Sequence, residues 1–417
     1  MKILLVHNTY QQPGGEDVVF SLERRLLEEA GHQVAVYCRS NWEISAAGMM
    51  GRLSWTPRTI WSGASRRAFA RRLTSERPDI IHVHNTFFMI SPSLYSACRE
   101  AHVPVVQTLH NFRLLCPGAA FFRHGRLCEE CAAHSLWRGV RHACYRDSRV
   151  ATGTVAFMLA VHRLRGTWTN EVDAFIALTQ FARGKFIAGG LPEDKVHILP
   201  NFAFPGPTAR ASEGSYALFV GRLSPEKGLD TLLAAWALLP RNIPLVVVGD
   251  GPLRAGLEAE AARRGLSQVL FRGRLNRGET QAAMQGAKFL ILASECYENF
   301  PMTIVEAFAC GVPALCCRLG ALPDIVRDGG TGLHFTPGDP VDLAAKVDWA
   351  WAHPREMLAM GMQAQAEFES HYTAEKHYSA LMEIYAYAMG RAPAFIHLLD
   401  PAPVPALQTA GARATAA

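Results

Sequence analysis

Short apolar runs rich in β-branched residues recur through this chain, and each ends on a polar residue or a turn signal that leads into a stretch with helical spacing. The first series occupies residues 2–7, 33–38, 80–83, 105–109, 174–178 and 196–199. A second occupies 216–220, 245–248, 269–271, 289–292 and 314–316. Strand and helix signals that alternate in this way require a parallel sheet with helices on its faces. Two such series in one chain of 417 residues predict an α/β protein of two doubly wound, Rossmann-like domains. The stretch 203–215, rich in Pro, Gly, Ser and Ala, is the linker between them. The expected organisation is a first domain over 1–202 with a Cys-rich insertion at 116–144, then a second over 216–373. A last helix over 374–390 and an Ala/Pro-rich tail, 391–417, without periodicity and expected to be disordered, complete the chain.

Open α/β sheets bind ligands beyond the carboxyl ends of their strands, so the residues that follow each run matter most. After the run 289–292 come Glu298, in a polar turn, and Glu306, in a helix-like stretch that stops at Gly311. Two carboxylates at that edge suit a ligand rich in hydroxyls, because an ionised carboxylate only accepts hydrogen bonds. Arg222 and Lys227 follow the run 216–220, in a loop punctuated by Gly221, Pro225 and Gly228. A planar guanidinium and a compact ammonium together can neutralise a diphosphate without a metal ion, and can stabilise charge on it as it leaves. Met302 and Thr303 open the helix that carries Glu306, where free backbone N–H groups favour a phosphate. Gly249 begins a turn at the same edge, readable either as a ligand loop or as a plain tight turn.

The run from Phe219 to Asp230, the run from Leu245 to Pro252 and the segment 294–313, in this order and spacing, resemble the donor-binding half of the GT-B glycosyltransferases, in particular retaining family 4. The resemblance covers most of residues 1–390 and is strongest over 216–335. It implies two domains facing across a cleft, with the last helix crossing back to the first domain. It also implies a nucleotide-sugar donor, with Arg222 and Lys227 on its phosphates, Glu306 on the ribose and Glu298 near the sugar. Asn299, Phe300 and Pro301 stand where Gly-Phe-Pro is commoner, so the backbone contact of Asn299 to the sugar departs from the pattern. On the acceptor side, Gly14 and Gly15 match a loop that closes over the phosphates. His110 matches a histidine that faces the donor sugar. Glu16 reads as a favourable first-turn charge, and His84 and Asn85 mark another strand end.

The expected activity is sugar transfer with retention, in the manner of a front-face displacement. It needs no cofactor and no catalytic metal, since no Asp-x-Asp stands at a strand end. A sugar-nucleotide epimerase, a glycan phosphorylase and a non-catalytic sugar-nucleotide-binding partner are the rival readings. The acceptor side carries the positive charge: residues 1–200 hold 24 basic and 16 acidic side chains. Residues 44–75 contain Arg52, Arg58, Arg66, Arg67, Arg71 and Arg72 with Trp55, Trp61 and Phe69 and no acid. That mixture suits an anionic membrane surface, and with it a polyprenyl-diphosphate-linked saccharide acceptor in surface-glycan or exopolysaccharide assembly. A solvated Arg-rich helix is the alternative. No nucleic-acid-binding motif accompanies the charge. No secretory signal or membrane-length apolar stretch is apparent, which predicts a cytoplasmic enzyme, peripheral at most on the inner membrane face. Cys116, Cys128, Cys131 and Cys144 have spacing that suits a structural zinc, with reduced thiols as the alternative.

Overall fold

The computed structural model describes residues 1–11, 14–43, 58–204 and 213–391. Arg52, Trp55, most of the linker and the tail beyond residue 391 lie outside the described residues. The first domain holds six parallel strands: β1 (Lys2–Thr9), β2 (Gln33–Ser40), β3 (Ile80–Val83), β4 (Val105–Thr108), β5 (Ala174–Ala177) and β6 (Val196–Ile198). Their order across the sheet is β2-β1-β3-β4-β5-β6. The second holds β7 (Tyr216–Val220), β8 (Leu245–Val248), β9 (Val269–Gly273), β10 (Ala287–Leu292), β11 (Ala314–Cys317) and β12 (Gly332–Phe335), in the order β9-β8-β7-β10-β11-β12. Every residue of β3, β4, β5, β10, β11 and β12 is buried. Helices cover both faces of these sheets, which is why the strands read as continuous apolar runs rather than alternating ones.

The chain reverses direction across each sheet between β1 and β3, and between β7 and β10. At such a switch point neighbouring loops run to opposite faces and leave a crevice. The loops after β7 and β10 carry Lys227 and Glu298, and those after β1 and β3 carry Gly14 and Asn85. The topology therefore sets these residues at the two crevices, whose mouths face each other.

Three features join the domains. The helix Ala374–Ala388 follows the second domain but packs under the first sheet. His377 bonds the Pro200 carbonyl at 2.9 Å, the Tyr385 hydroxyl meets His82 Nδ1 at 2.8 Å, and the Tyr387 hydroxyl donates to the Asp194 carbonyl at 3.0 Å. Asn299 Nδ2 donates to the Leu109 carbonyl at 2.6 Å. The Cys-rich insertion reaches across too: Glu129 accepts from the Tyr297 hydroxyl at 2.6 Å while paired with Lys185.

Packing bears on two further expectations. In the basic segment, Phe69 is a core residue at 1% exposure rather than a membrane contact. Arg66 pairs with Glu100, and Arg72 with Glu76 at 3.0 Å, acids that lie just outside the segment. Trp61 stacks on His162. Among the described arginines of the helix Gly63–Glu76, Arg67 and Arg71 stay exposed without a described ion pair. Among the described residues no helix is long and apolar enough to cross a membrane. The four cysteines share one loop region as free thiols, with Cys116 and Cys131 buried. No three of their sulfurs lie within 4.8 Å of one another; among the described residues only Glu23, His82 and His84 meet that test. As placed, the cysteines do not form a tetrahedral zinc site.

Candidate active site

Lys227 ends a single 3-10 turn, Pro225–Lys227, that Gly228 closes at φ +66. A Cβ at Gly228 would lie 1.9 Å from the Ala293 carbonyl oxygen, so the turn can seat against β10 only with glycine there. That seating brings Lys227 Nζ to 2.6 Å from Glu298 Oε1, which also accepts from the Ser294 hydroxyl. Burial alone would push Lys227 down, but the Glu298 carboxylate outweighs it and Lys227 is pushed up to about 12. Burial likewise raises Glu298, and the lysine and Ser294 more than offset that, leaving it below the usual range. Both are thus ionised, a part-buried pair in which each charge offsets the desolvation of the other.

Lys227, Ser294, Glu298, Asn299, Phe300, Pro301, Met302 and Thr303 form one wall of a cavity of about 400 Å³. Across it stand Tyr10, Gly14, Gly15, Glu16 and His110 from the first domain. Glu306 lies one turn further along the helix Met302–Ala309 and lines a second cavity of about 600 Å³, with Arg277, Leu275, Gln281 and Phe204. Burial raises its carboxyl pKa, opposed by Arg277. The two acids therefore serve two compartments at the two ends of one short helix, rather than one point. An elongated ligand with a phosphate over the helix N-terminus would reach both.

Other predicted residues take different places. Arg222 is exposed and is absent from the cavity lining, because the chain turns outward immediately after Gly221. Gly249, at φ +133, does not line the cavity either; a Cβ there would lie 1.8 Å from the Gly221 carbonyl oxygen. Its glycine serves the close approach of two strand-end loops. Asn299 uses its amide to tie the two domains together through Leu109.

The first-domain wall contains groups that sequence reasoning undervalued. Glu16 accepts from Asn85 Nδ2 at 2.9 Å and from Asn111 Nδ2 at 3.2 Å. Burial, then the neighbouring Asp17, push its carboxyl up to about 8, against Arg113 and the two amides. Asn85 also donates to the Asn8 carbonyl at 2.7 Å, so the ends of β1, β3 and β4 meet at this acid. His110 Nε2 lies 2.9 Å from Nδ1 of the buried His84. Burial holds both imidazoles below their ordinary range, His84 down to about 4. His84 and Asn85 thus stand behind the wall as supports. Glu16 looked like a first-turn charge; only its convergence with Asn85 and Asn111, each far away in sequence, distinguishes it.

Comparison with known proteins covers both halves. Residues 13–203 match the profile described as Glycosyltransferase Family 4, and residues 203–367 match Glycosyl transferases group 1. The D-rhamnosyltransferase WbpZ of Pseudomonas aeruginosa is 29% identical over 52% of this chain and 57% of its own. The O-antigen chain mannosyltransferase C of Escherichia coli is 30% identical over 41% of this chain and 46% of its own. The chain thus spans about half the length of these curated relatives. Among solved structures, Anabaena HepE in complex with UDP superposes with a TM-score of 0.65 at 20% identity, over 92% of this chain and 99% of that one. Sucrose-phosphate synthase of Thermosynechococcus elongatus gives 0.68 at 18% identity, over 94% and 100%. These likenesses show the same two-domain architecture.

Proposed function

The chain belongs to the group 1 glycosyltransferases of the GT-B fold, and we propose that it moves a sugar from a nucleotide-sugar donor to a hydroxyl of a glycan or lipid-linked saccharide, with retention at the anomeric carbon. The observation that carries this reading is the part-buried Lys227–Glu298 ion pair at the second domain's switch point. It faces His110 and Glu16 across one cavity, and Glu306 lines a second one further along the helix Met302–Ala309. The donor diphosphate lies over Met302 and Thr303 and takes Lys227 from Glu298. The freed carboxylate then accepts hydroxyls of the sugar, while Glu306 accepts from the ribose. As the bond from the anomeric carbon to phosphate oxygen breaks, Lys227 meets the charge that develops on the diphosphate. The leaving phosphate oxygen takes the acceptor's proton, and the protein supplies position and charge rather than a nucleophile. Arg222 joins the phosphates only on closure of its loop. Glu16 receives the acceptor hydroxyl on the opposite wall. No metal takes part.

The acceptor we favour is a polyprenyl-diphosphate-linked saccharide at an anionic membrane face, with the exposed Arg67 and Arg71 as its sequence support. The relative named for O-antigen chain mannosylation supports a glycan acceptor.

The test is a thermal-shift panel of nucleoside diphosphates and nucleotide sugars, including UDP, UDP-glucose and GDP-mannose. Turnover with lipid-diphosphate saccharides follows, with and without chelator, with the product's anomeric configuration read by NMR. Stabilisation by a nucleoside diphosphate, chelator-insensitive transfer and a retained anomer are expected. Sugar isomerisation without an acceptor would identify an epimerase instead, and binding without turnover on any acceptor a non-catalytic partner.

A further inference from the structure

Behind the first-domain wall lies a buried carboxylate that no role above uses. Glu23, on the helix Gly15–Glu29, is 2% exposed. Its Oε1 lies 2.7 Å from His82 Nδ1 and 3.2 Å from His84 Nε2, and its Oε2 lies 3.3 Å from His377 Nε2. All three imidazoles are buried. Burial would raise the Glu23 carboxyl, but the neighbouring His82 and His84 imidazoles and its bond to His377 outweigh that and hold it well down. It is an anion inside the protein.

His84 Nε2 is fully buried and has no hydrogen-bond partner, and neither has Glu23 Oε1, the carboxylate oxygen 3.2 Å from it. A bare Nε2 would set its lone pair against a carboxylate, so the proton of the neutral ring belongs on Nε2. Nδ1 of His84 is then the acceptor, and the only proton that can fill the 2.9 Å contact is one on His110 Nε2. A neutral His110 protonated there has its lone pair on Nδ1, the nitrogen not engaged with His84. We infer that Glu23 and His84 are positioning residues that hold His110 in the Nε2–H form, so that the histidine meets the donor sugar as a hydrogen-bond acceptor. This rests on the reading of His110 as a sugar-facing residue. Glu23, His82 and His84 also lie close enough together to suggest a metal. However, ligands bound at 2.0–2.1 Å around a tetrahedral zinc sit roughly 3.3 Å apart, and the 2.7 Å Glu23–His82 contact is a hydrogen-bond distance. His82 Nε2 is separately engaged with the Thr108 hydroxyl at 2.8 Å.

The experiment uses the full chain labelled with 15N-histidine, with His110→Ala to assign the ring. NMR should show His110 protonated on Nε2 and bare on Nδ1. A proton on Nδ1 overturns the inference, and this measurement needs neither substrate nor a variant at Glu23. Kinetics with UDP-glucose add a second reading through a double-mutant cycle. Glu23→Gln should lower kcat/KM about ten- to a hundredfold, the usual cost of removing a partner that orients an imidazole. It should cost nothing further in the His110→Ala background, with UDP affinity unchanged throughout. An equal loss in both backgrounds means a merely structural acid and sinks the proposal. Failure of the glycosyltransfer reading looks different, as absence of nucleotide binding and turnover in the unaltered protein.

Discussion

The two walls of the cleft solve the same problem by opposite means. The second-domain wall is built from charge: Lys227 and Glu298 lie 2.6 Å apart, both ionised, on loops that leave neighbouring strands. The first-domain wall is built from neutral groups and hydrogen bonds that converge from several strand ends: Glu16 with Asn85 and Asn111, His110 with His84. A diphosphate carries its own charge and needs only a cation and free N–H groups, which one short motif supplies. A hydroxyl-rich partner carries none, so recognising it requires donors and acceptors of fixed direction, and these must be assembled across the fold.

That contrast can be broken by mutation. The largest effect should come from Lys227→Ala, which removes a contact strengthened in the transition state and leaves the part-buried Glu298 without its cation. A loss of about 2–4 kcal/mol, or roughly 30- to 1000-fold in turnover at saturating donor, is expected. Near-normal turnover would end the charge-based reading of this wall. Arg222→Ala, measured alongside, reports whether the exposed guanidinium is drawn in by donor; a loss comparable to that of Lys227→Ala requires closure of its loop.

Next in size, Glu306→Gln should weaken nucleoside diphosphate and donor alike, by about 1.5–3 kcal/mol for a hydrogen bond to a charged group. Glu298→Gln should lower turnover more than nucleotide affinity. Calorimetry with UDP beside steady-state kinetics separates them, and unchanged UDP affinity in Glu306→Gln would contradict the division into two compartments.

Glu16→Gln tests the neutral wall through stability. Glu16 has a folded-state pKa of about 8, above its unfolded value, so the native state binds the extra proton between those two pH values. The unaltered protein should therefore lose stability as pH rises toward 8, while Glu16→Gln should not show that component. Thermal melts from pH 5 to 8.5 should diverge in favour of the variant at the alkaline end. Parallel curves would place Glu16 in water rather than in the wall.

The smallest effect belongs to the surface. Changing Arg67 and Arg71 to Gln should reduce co-sedimentation with anionic vesicles by roughly 1 kcal/mol per residue at low salt, and less as salt screens the attraction. Equal sedimentation of both proteins would remove the support for a membrane-held acceptor.

The charged wall was largely legible in the sequence because its residues are local. Lys227 stands five residues after Arg222 in one loop, and Glu298 and Glu306 are separated by seven residues on one strand-loop-helix unit. The parallel sheets were legible for a similar reason, since buried strands announce themselves as apolar runs. What sequence could not show is where a loop side chain points, as with the outward Arg222. Nor could it reveal convergence: Glu16 takes its two amide partners from residues 69 and 95 positions away, and its raised pKa from burial that only the folded chain creates. Nor could it show the pairing within residues 58–75, where Phe69 and Leu73 turn inward while Glu100 and Glu76 come from outside the segment to meet Arg66 and Arg72.

The helix Ala374–Ala388 has a consequence for how the molecule comes into being. It is synthesised after the second domain, yet Leu381, Ile384 and Tyr385 are wholly buried beneath the first-domain sheet, and His377 supplies a partner to Glu23. An emerging chain that stops at residue 202 would leave that apolar underside and the Glu23 carboxylate open to water. The first domain therefore waits, incomplete, through the translation of the second. Removal of this helix should act as a lesion in the distant amino-terminal half rather than as the trimming of an end.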